Sequence, residues 1–250
     1  MKKTLFTLVA AAMAVLSSSA ANDGNVTFSG QLKGLKDTLI VFSPAGQGVH
    51  RDTVLTKDGK FNFTVNVSKP VNIYAYTPGT VRREEQIGFK AIAVPGEKAE
   101  INGDLASAFY FSGSKFYQEY NEADRANEAA SKPINDFAKS LEDRLVKGES
   151  RDSVMKDYNA KGPALQEQAQ KAMLDFIAKH PDSEGAAAFI PELGDLDAMK
   201  KAAASLSDNV RNGRMHDYYQ KAIDEAQQQA DAEAEAAKKQ AAGVVAPDFT

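Results

Sequence analysis

The chain has 250 residues, of which 43% are hydrophobic and 26% are charged, so it can form one large folded domain or two modest ones. This composition excludes the disordered and collagen-like classes. The formal net charge of -4 argues against a nucleic-acid partner or an anionic membrane surface. Because the chain contains no cysteine, it has no disulfide, no thiolate metal ligand and no thiol nucleophile of its own.

Residues 1–21 have the three regions of a secretory signal peptide. Lys2 and Lys3 form a basic start, residues 5–16 are apolar, and residues 17–21 are small. The apolar stretch is shorter than the roughly 20 residues that a membrane-spanning helix needs, so we predict cleavage at the end of this segment. Loss of the two lysines makes the mature chain more acidic, and the absence of a cysteine near the cleavage region excludes a lipoprotein. We therefore expect a periplasmic or secreted protein without a stable membrane anchor.

Short alternating segments separated by turn signals occupy residues 25–114. The clearest is 61–67, in which apolar and polar residues alternate as in a half-buried strand, directly after the hairpin signal Asp58-Gly59. Further strands are predicted at residues 26–32, 37–42, 50–55, 71–76, 87–94, 99–103 and 109–111. Seven or eight short strands predict an N-terminal antiparallel β-sandwich or open barrel.

The sequence becomes helical after Ser112-Gly113-Ser114, where the apolar spacing changes to three and four residues. A first helix carries Phe116 and Tyr120, a second is predicted to begin at Pro133, and a third at Pro163. Short helices are expected at residues 186–193 and from residue 195 onward. We therefore predict an α+β protein with a helical domain over residues 115–207.

The last predicted element is a long helix over residues 208–243. Its first half carries Val210, Met215, Tyr219 and Ile223, which can dock on the body of the protein, whereas its second half has alanine as its only apolar residue. That half cannot bury much surface, so we interpret it as a semi-rigid helical linker closed by Gly243.

The sequence contains no convincing catalytic, cofactor or metal site. His50, His180 and His216 are its only histidines and belong to three separate elements, so no zinc site is expected without cysteine. We predict no catalytic residue, no cofactor and no metal.

A charged loop and one tyrosine are the candidates for partner binding. Residues 82–86 read Arg-Arg-Glu-Glu-Gln between two strands, and Tyr110 faces outward if Phe109 and Phe111 face inward. A solvated loop and a packed aromatic cluster are the alternative interpretations. The candidate partner-binding residues are Arg82, Arg83, Glu84 and Tyr110.

Several segments, in the order in which they occur, resemble the periplasmic thioredoxin-family oxidoreductases of the TlpA/ResA type. These segments are 28–32 (Phe-Ser-Gly-Gln-Leu), 58–63 (Asp-Gly-Lys-Phe-Asn-Phe), 94–99 (Val-Pro-Gly-Glu-Lys-Ala), 111–114 (Phe-Ser-Gly-Ser), 176–183 (Phe-Ile-Ala-Lys-His-Pro-Asp-Ser), Gly243 and 246–250 (Ala-Pro-Asp-Phe-Thr). None of them is specific alone, but a shared order of independent weak signals multiplies their likelihoods.

The resemblance implies an N-terminal domain of unassigned function, a helical region and a thioredoxin-like domain, related to the AhpC/TSA proteins, that opens at residues 246–250. In that family the chemistry belongs to a Trp-Cys-x-x-Cys site beyond this opening strand, where a low-pKa thiolate attacks a disulfide. No position of this chain can carry that role. The resemblance therefore implies a truncated, non-catalytic accessory part of an exported thiol-disulfide oxidoreductase that serves periplasmic redox homeostasis, with protein substrates or a periplasmic partner bound by its β domain.

Two alternatives remain open from the sequence. One is a stand-alone exported β-sandwich that binds a protein or a glycan. The other is the N-terminal part of a peroxiredoxin-like protein, since that class also opens with Ala-Pro-Asp-Phe.

Overall fold

The computed structural model describes residues 25–46 and 48–241, with side chains to residue 239. The predicted signal peptide, Gly243 and the segment 246–250 lie outside the described residues. Within them the protein is α+β, as predicted: eight strands come first and a helical region follows.

The eight strands form two four-stranded sheets. They are β1 (Val26–Lys33), β2 (Thr38–Ala45), β3 (Gly48–Leu55), β4 (Lys60–Val65), β5 (Val71–Tyr76), β6 (Gly88–Ala93), β7 (Lys98–Asp104) and β8 (Ala108–Gly113). The first sheet has the order β4-β1-β7-β8 and the second the order β3-β2-β5-β6. All strand pairs are antiparallel except β1 and β7, which are parallel.

The parallel pair requires a glycine in β1. Gly30 has a φ of +152°, and a Cβ built there would lie 1.9 Å from the carbonyl oxygen of Ile101 in β7. Any larger residue would push these two strands apart, so Gly30 permits the close approach.

The predicted alternation in residues 61–67 is confirmed. Phe61, Phe63 and Val65 are buried in the core, whereas Lys60 and Asn62 are exposed. The core between the two sheets therefore forms as period-two patterning requires.

The described part of the chain contains seven helices, the first of them among the strands, and one 3₁₀ turn. They are α1 (Pro78–Val81, between β5 and β6), α2 (Lys115–Val146), α3 (Arg151–Lys179), α4 (Glu184–Ala187), the 3₁₀ turn Ile190–Leu193, α5 (Leu196–Ser205), α6 (Asp208–Arg211) and α7 (His216–Ala241). None of these helices combines the length and the apolar character needed to cross a membrane.

Two predicted helix starts were wrong, because Pro133 lies inside α2 and Pro163 lies inside α3. Both prolines are exposed, so the carbonyl groups that lose an intrahelical donor can bond water instead. Helices α2 and α3 pack side by side as a long hairpin, and Leu141 and Val154 are buried in its seam. This tertiary packing keeps each helix continuous through its proline.

The predicted long helix from residue 208 was also wrong in its first part. The chain forms α6, leaves helical geometry at residues 212–215, and starts α7 at His216. A Cβ on Gly213 would lie 2.6 Å from the carbonyl oxygen of Asn209, so the glycine permits a tight connection there. In α7, Tyr219 and Ile223 are buried, and residues 231–239 are all exposed, as the sequence indicated.

The sandwich and the helices share one continuous core. At the start of α2, the ring of Tyr117 packs edge-on against Phe28 of β1, and Tyr120 packs edge-on against Phe111 of β8. The buried Tyr117 hydroxyl donates a hydrogen bond to the carbonyl oxygen of Ile92, at 2.7 Å. The first two turns of α2 therefore belong to the sandwich core as much as to the helical region.

Candidate functional site

The charged loop at residues 82–86 leaves the C-terminal end of α1. Its base is held by Thr77, a fully buried residue whose hydroxyl donates to Glu85 at 2.5 Å and whose side chain caps α1. Glu85 also accepts a hydrogen bond from Lys36 at 2.7 Å, and these two bonds lower the pKa of its carboxyl group. Glu85 is thus an anchor of the loop, and the free part of the loop is residues 82–84.

Arg82 and Glu84 pair with each other at the tip of this loop. The guanidinium donates two hydrogen bonds to the carboxylate, each of 2.8 Å, and the hydrogen bond from Arg82 lowers the pKa of Glu84. Arg83 is exposed, has a φ of +64°, and makes no ion pair among the described residues. Of the three predicted loop residues, only Arg83 therefore presents a charge that is not already neutralised by a neighbour.

Tyr110 points into solvent from β8, as predicted, and 47% of its surface is exposed. It borders a shallow depression beside Asn102, whereas Arg82 and Glu84 border a separate depression beside Lys36. The structure therefore does not unite the four candidate residues in one described cavity.

The three histidines lie apart. His50 contacts Asp52 at 3.0 Å in β3, and His216 contacts Asp217 at 3.2 Å on the exposed surface at the start of α7. His180 is the C-terminal cap of α3, where its ring stacks on Phe176 with 4.1 Å between the ring centres. Among residues 25–46 and 48–241, no three His, Asp or Glu side chains are grouped as a metal site would need.

An open cleft of about 720 Å³ lies between the two sheets, bordered by β3 and by the connection after β4. Ser43, His50 and Asp52 line it together with Asn66 and Lys69. Ser43 and His50 are direct cross-strand partners, so their side chains share one face of the sheet. No local sequence pattern marks this cleft, because only the strand register brings these polar residues together.

The described contacts of this cleft do not form a nucleophile–base pair. Asp52 lies 3.0 Å from the imidazole of His50, and no hydrogen bond joins Ser43 to His50 among the described interactions. A nucleophile must lie within hydrogen-bond reach of its base for the serine to be activated. The polar lining can instead accept and donate hydrogen bonds to a bound polar group.

A charged joint around Arg214 fastens the helices to the sandwich, just before α7. Arg214 contacts Glu97 in the turn before β7 at 2.5 Å and Glu184 in α4 at 2.6 Å. Its pKa is raised, chiefly by the hydrogen bond to Glu184. Glu97, only 12% exposed, also accepts a hydrogen bond from the Ser114 hydroxyl at the start of α2.

Two of the segments that carry the family resemblance meet at this joint. Residues 94–99 supply Glu97 and residues 111–114 supply Ser114, whereas residues 176–183 end at Ser183, the N-cap of α4, one residue before Glu184. The Ser183 hydroxyl also donates to Glu119 in α2, at 3.3 Å. Arg214 was not singled out from the sequence, and no local pattern marks it because its partners are 30 and 117 residues away.

Comparison of the chain with family models, with curated proteins and with solved structures finds no match at the level of significance required. The resemblance to thioredoxin-family oxidoreductases therefore remains a hypothesis drawn from the sequence.

Proposed function

We propose that residues 25–241 form a non-catalytic accessory module of an exported thiol-disulfide oxidoreductase, in which α7 is the spacer toward a thioredoxin-like domain. The observation that carries the proposal is the joint around Arg214. Two segments that carry the family resemblance, residues 94–99 and 111–114, contact each other at the point where α7 leaves the body, and Arg214 links the first of them to α4. Such a joint sets the direction in which α7 extends.

The exposed half of α7 suits a spacer. Beyond Ala226, which still packs against the core, the helix continues to Ala241 for about 22 Å at 1.5 Å per residue. Residues 231–239 are all exposed, so this segment is held by its own helical hydrogen bonds and not by burial. Lysines 238 and 239 lie in its last turn, where they interact favourably with the helix dipole.

The first test is the nucleotide sequence that follows codon 250. An open frame that encodes Trp-Cys-x-x-Cys within roughly the next fifty codons, downstream of Ala-Pro-Asp-Phe-Thr, would support the proposal. A stop codon directly after Thr250 would overturn it. A continuation with a single cysteine after Pro-x-x-x-Thr would instead identify the peroxiredoxin alternative.

The second test is insulin reduction by the purified 250-residue chain. Because the chain contains no cysteine, we expect no turnover above the dithiothreitol background, whereas a chain extended through the cysteine pair should reduce insulin. Turnover by the short chain itself would contradict the assignment of a non-catalytic role.

A stand-alone binding module is the second candidate, and it is favoured by the exposed Arg83, which makes no ion pair with any residue that the structure describes. A double change of Arg82 and Arg83 to alanine should abolish capture of a specific ligand while leaving the melting temperature within about 2 °C, because surface changes of this kind cost little stability. Unchanged ligand capture by the double variant would exclude the loop as the binding site.

A further inference from the structure

A row of side chains with a cation at each end crosses the outer face of the second sheet. The strand register aligns Arg51 of β3 with Phe42 of β2, Phe42 with Tyr74 of β5, and Tyr74 with Lys90 of β6. Register partners project from the same face, so these four side chains form one line. Three interstrand spacings of about 4.8 Å make the row about 14 Å long.

The centre of the row is an aromatic surface open to solvent. Tyr74 is 37% exposed and stacks on Tyr76, with 5.9 Å between ring centres and 26° between ring planes. Tyr76 in turn lies 6.2 Å from the ring of Phe42. At one end, the guanidinium of Arg51 lies 6.0 Å from the centre of the Phe42 ring.

A concave wall stands beside this surface. Tyr74 also borders a cleft of about 450 Å³ between the sheet and α7, whose far side includes Tyr218. The Tyr218 hydroxyl donates to the side-chain oxygen of Asn72 at 2.9 Å, which fixes the tyrosine against the sheet. The aromatic row therefore continues into a partly enclosed groove, as small-ligand sites generally require.

The cations of the row and of the neighbouring groove are only partly neutralised. In the row, Lys90 pairs with Glu192 at 2.7 Å, whereas Arg51 makes no ion pair in the part of the chain that the structure describes. In the groove, Lys69 likewise makes no ion pair among the described residues, Lys221 pairs with Glu225 at 3.6 Å, and Asp217 lies on the α7 side. Two free cations suit a ligand with widely spaced negative charges. A nucleic acid would need a continuous track of Lys and Arg along its phosphates.

We propose that the row and the adjoining groove bind an acidic oligosaccharide, with a sugar ring on Tyr74 and a carboxylate on Arg51 at the end of the row. The apolar face of a pyranose ring packs flat against an aromatic ring, and the planar guanidinium fork matches a uronic-acid carboxylate. The length of the row favours an elongated ligand. This site is separate from the Arg82–Glu84 loop and does not depend on the proposed role of α7.

The test is isothermal titration calorimetry on the whole chain, with oligogalacturonate and oligoguluronate of about three to six sugar units, a length matched to the row. Maltohexaose serves as the neutral control. We expect the acidic probes to bind and the neutral one to bind at least about tenfold more weakly, since it lacks the charge-assisted hydrogen bonds to Arg51.

Four variants separate the proposed contacts. Tyr74→Ala and Arg51→Gln should each weaken binding of the acidic probe about tenfold or more, and Tyr74→Phe should keep the binding because the ring remains. The matched control is Tyr158→Ala, an exposed tyrosine of α3, which should leave the affinity within about twofold. Circular dichroism of each variant confirms that the fold is intact. Absence of binding by both acidic probes, equal binding of maltohexaose, or full binding by a folded Tyr74→Ala variant would overturn the proposal.

Discussion

Replacement of Gly185 by alanine tests how closely α4 packs on α2. Gly185 is buried in α4, and a Cβ built on it would lie 2.2 Å from the backbone nitrogen of Tyr120 and 2.4 Å from the carbonyl carbon of Glu119. Atoms in ordinary contact are about 3.5–4.0 Å apart. The obstacle is helix backbone, so α4 must move outward by about 1 Å.

Three contributions set the expected change in the free energy of unfolding: two lower it and one raises it. Overpacking of a tight contact costs about 1–3 kcal/mol. Outward movement also lengthens the hydrogen bond of 3.3 Å from the Gly185 amide to the Glu119 carboxylate, which adds about 1–2 kcal/mol. Alanine recovers about 1 kcal/mol through its better helix propensity. We therefore expect the free energy of unfolding to fall by about 1–4 kcal/mol.

Urea unfolding followed by circular dichroism measures this change. The matched control is Gly48→Ala, because a Cβ on Gly48 meets nothing closer than 3.7 Å and its φ is not in the left-handed region. The control should stay within about 0.5 kcal/mol of the parent protein. If Gly185→Ala were as stable as Gly48→Ala, the close packing of α4 on α2 would be refuted.

Changes at three further residues test the packing of the core, the pH dependence of stability and the joint around Arg214. Tyr117→Phe removes the hydrogen bond to the Ile92 carbonyl and should lower the free energy of unfolding by about 1–2 kcal/mol. The same urea titration measures this change, and an unchanged free energy would show that the carbonyl has another donor. Burial, with a smaller contribution from Glu128, raises the pKa of Asp124 to about 6. Between about pH 4 and 6 this carboxyl group is therefore protonated in the folded state and ionised in the unfolded chain, so the free energy of unfolding should fall as the pH rises through that range. Asp124→Asn should remove this fall and raise the free energy of unfolding at pH 7 by about 2 kcal/mol, and an equal pH profile for both proteins would contradict the burial of this carboxyl group. Arg214→Gln should lower the free energy of unfolding by about 1–2 kcal/mol and speed amide hydrogen exchange in the first turns of α7, whereas Arg214→Lys should lower the free energy less. Unchanged exchange in Arg214→Gln would show that the joint does not hold α7.

Part of the candidate partner-binding surface could be read from the sequence. The charge run at residues 82–86 and the alternation of Phe109, Tyr110 and Phe111 placed these side chains in a loop and on an outer sheet face, and both placements are confirmed. Their pairing could not be read, because Lys36, which binds Glu85, is 49 residues away. The aromatic row likewise depends on the register of four strands, which no local window contains.

The sequence by itself determined the type and the approximate place of most elements. Alternation with a period of two can bury only one face of a strand, and Ala- and Glu-rich segments with apolar spacings of three and four favour helices, so both signals are local. It also determined that the second half of α7 has no large apolar side chain to bury.

Only the tertiary structure decided the parallel pairing of β1 with β7, the continuity of α2 and α3 through their prolines, and the joint around Arg214. Each of these depends on contacts between residues far apart in the chain. In α2 and α3, the packing of one helix along the other outweighs the local cost of a proline. At the joint, an arginine gains its role from carboxylates that only the completed fold brings within hydrogen-bond distance.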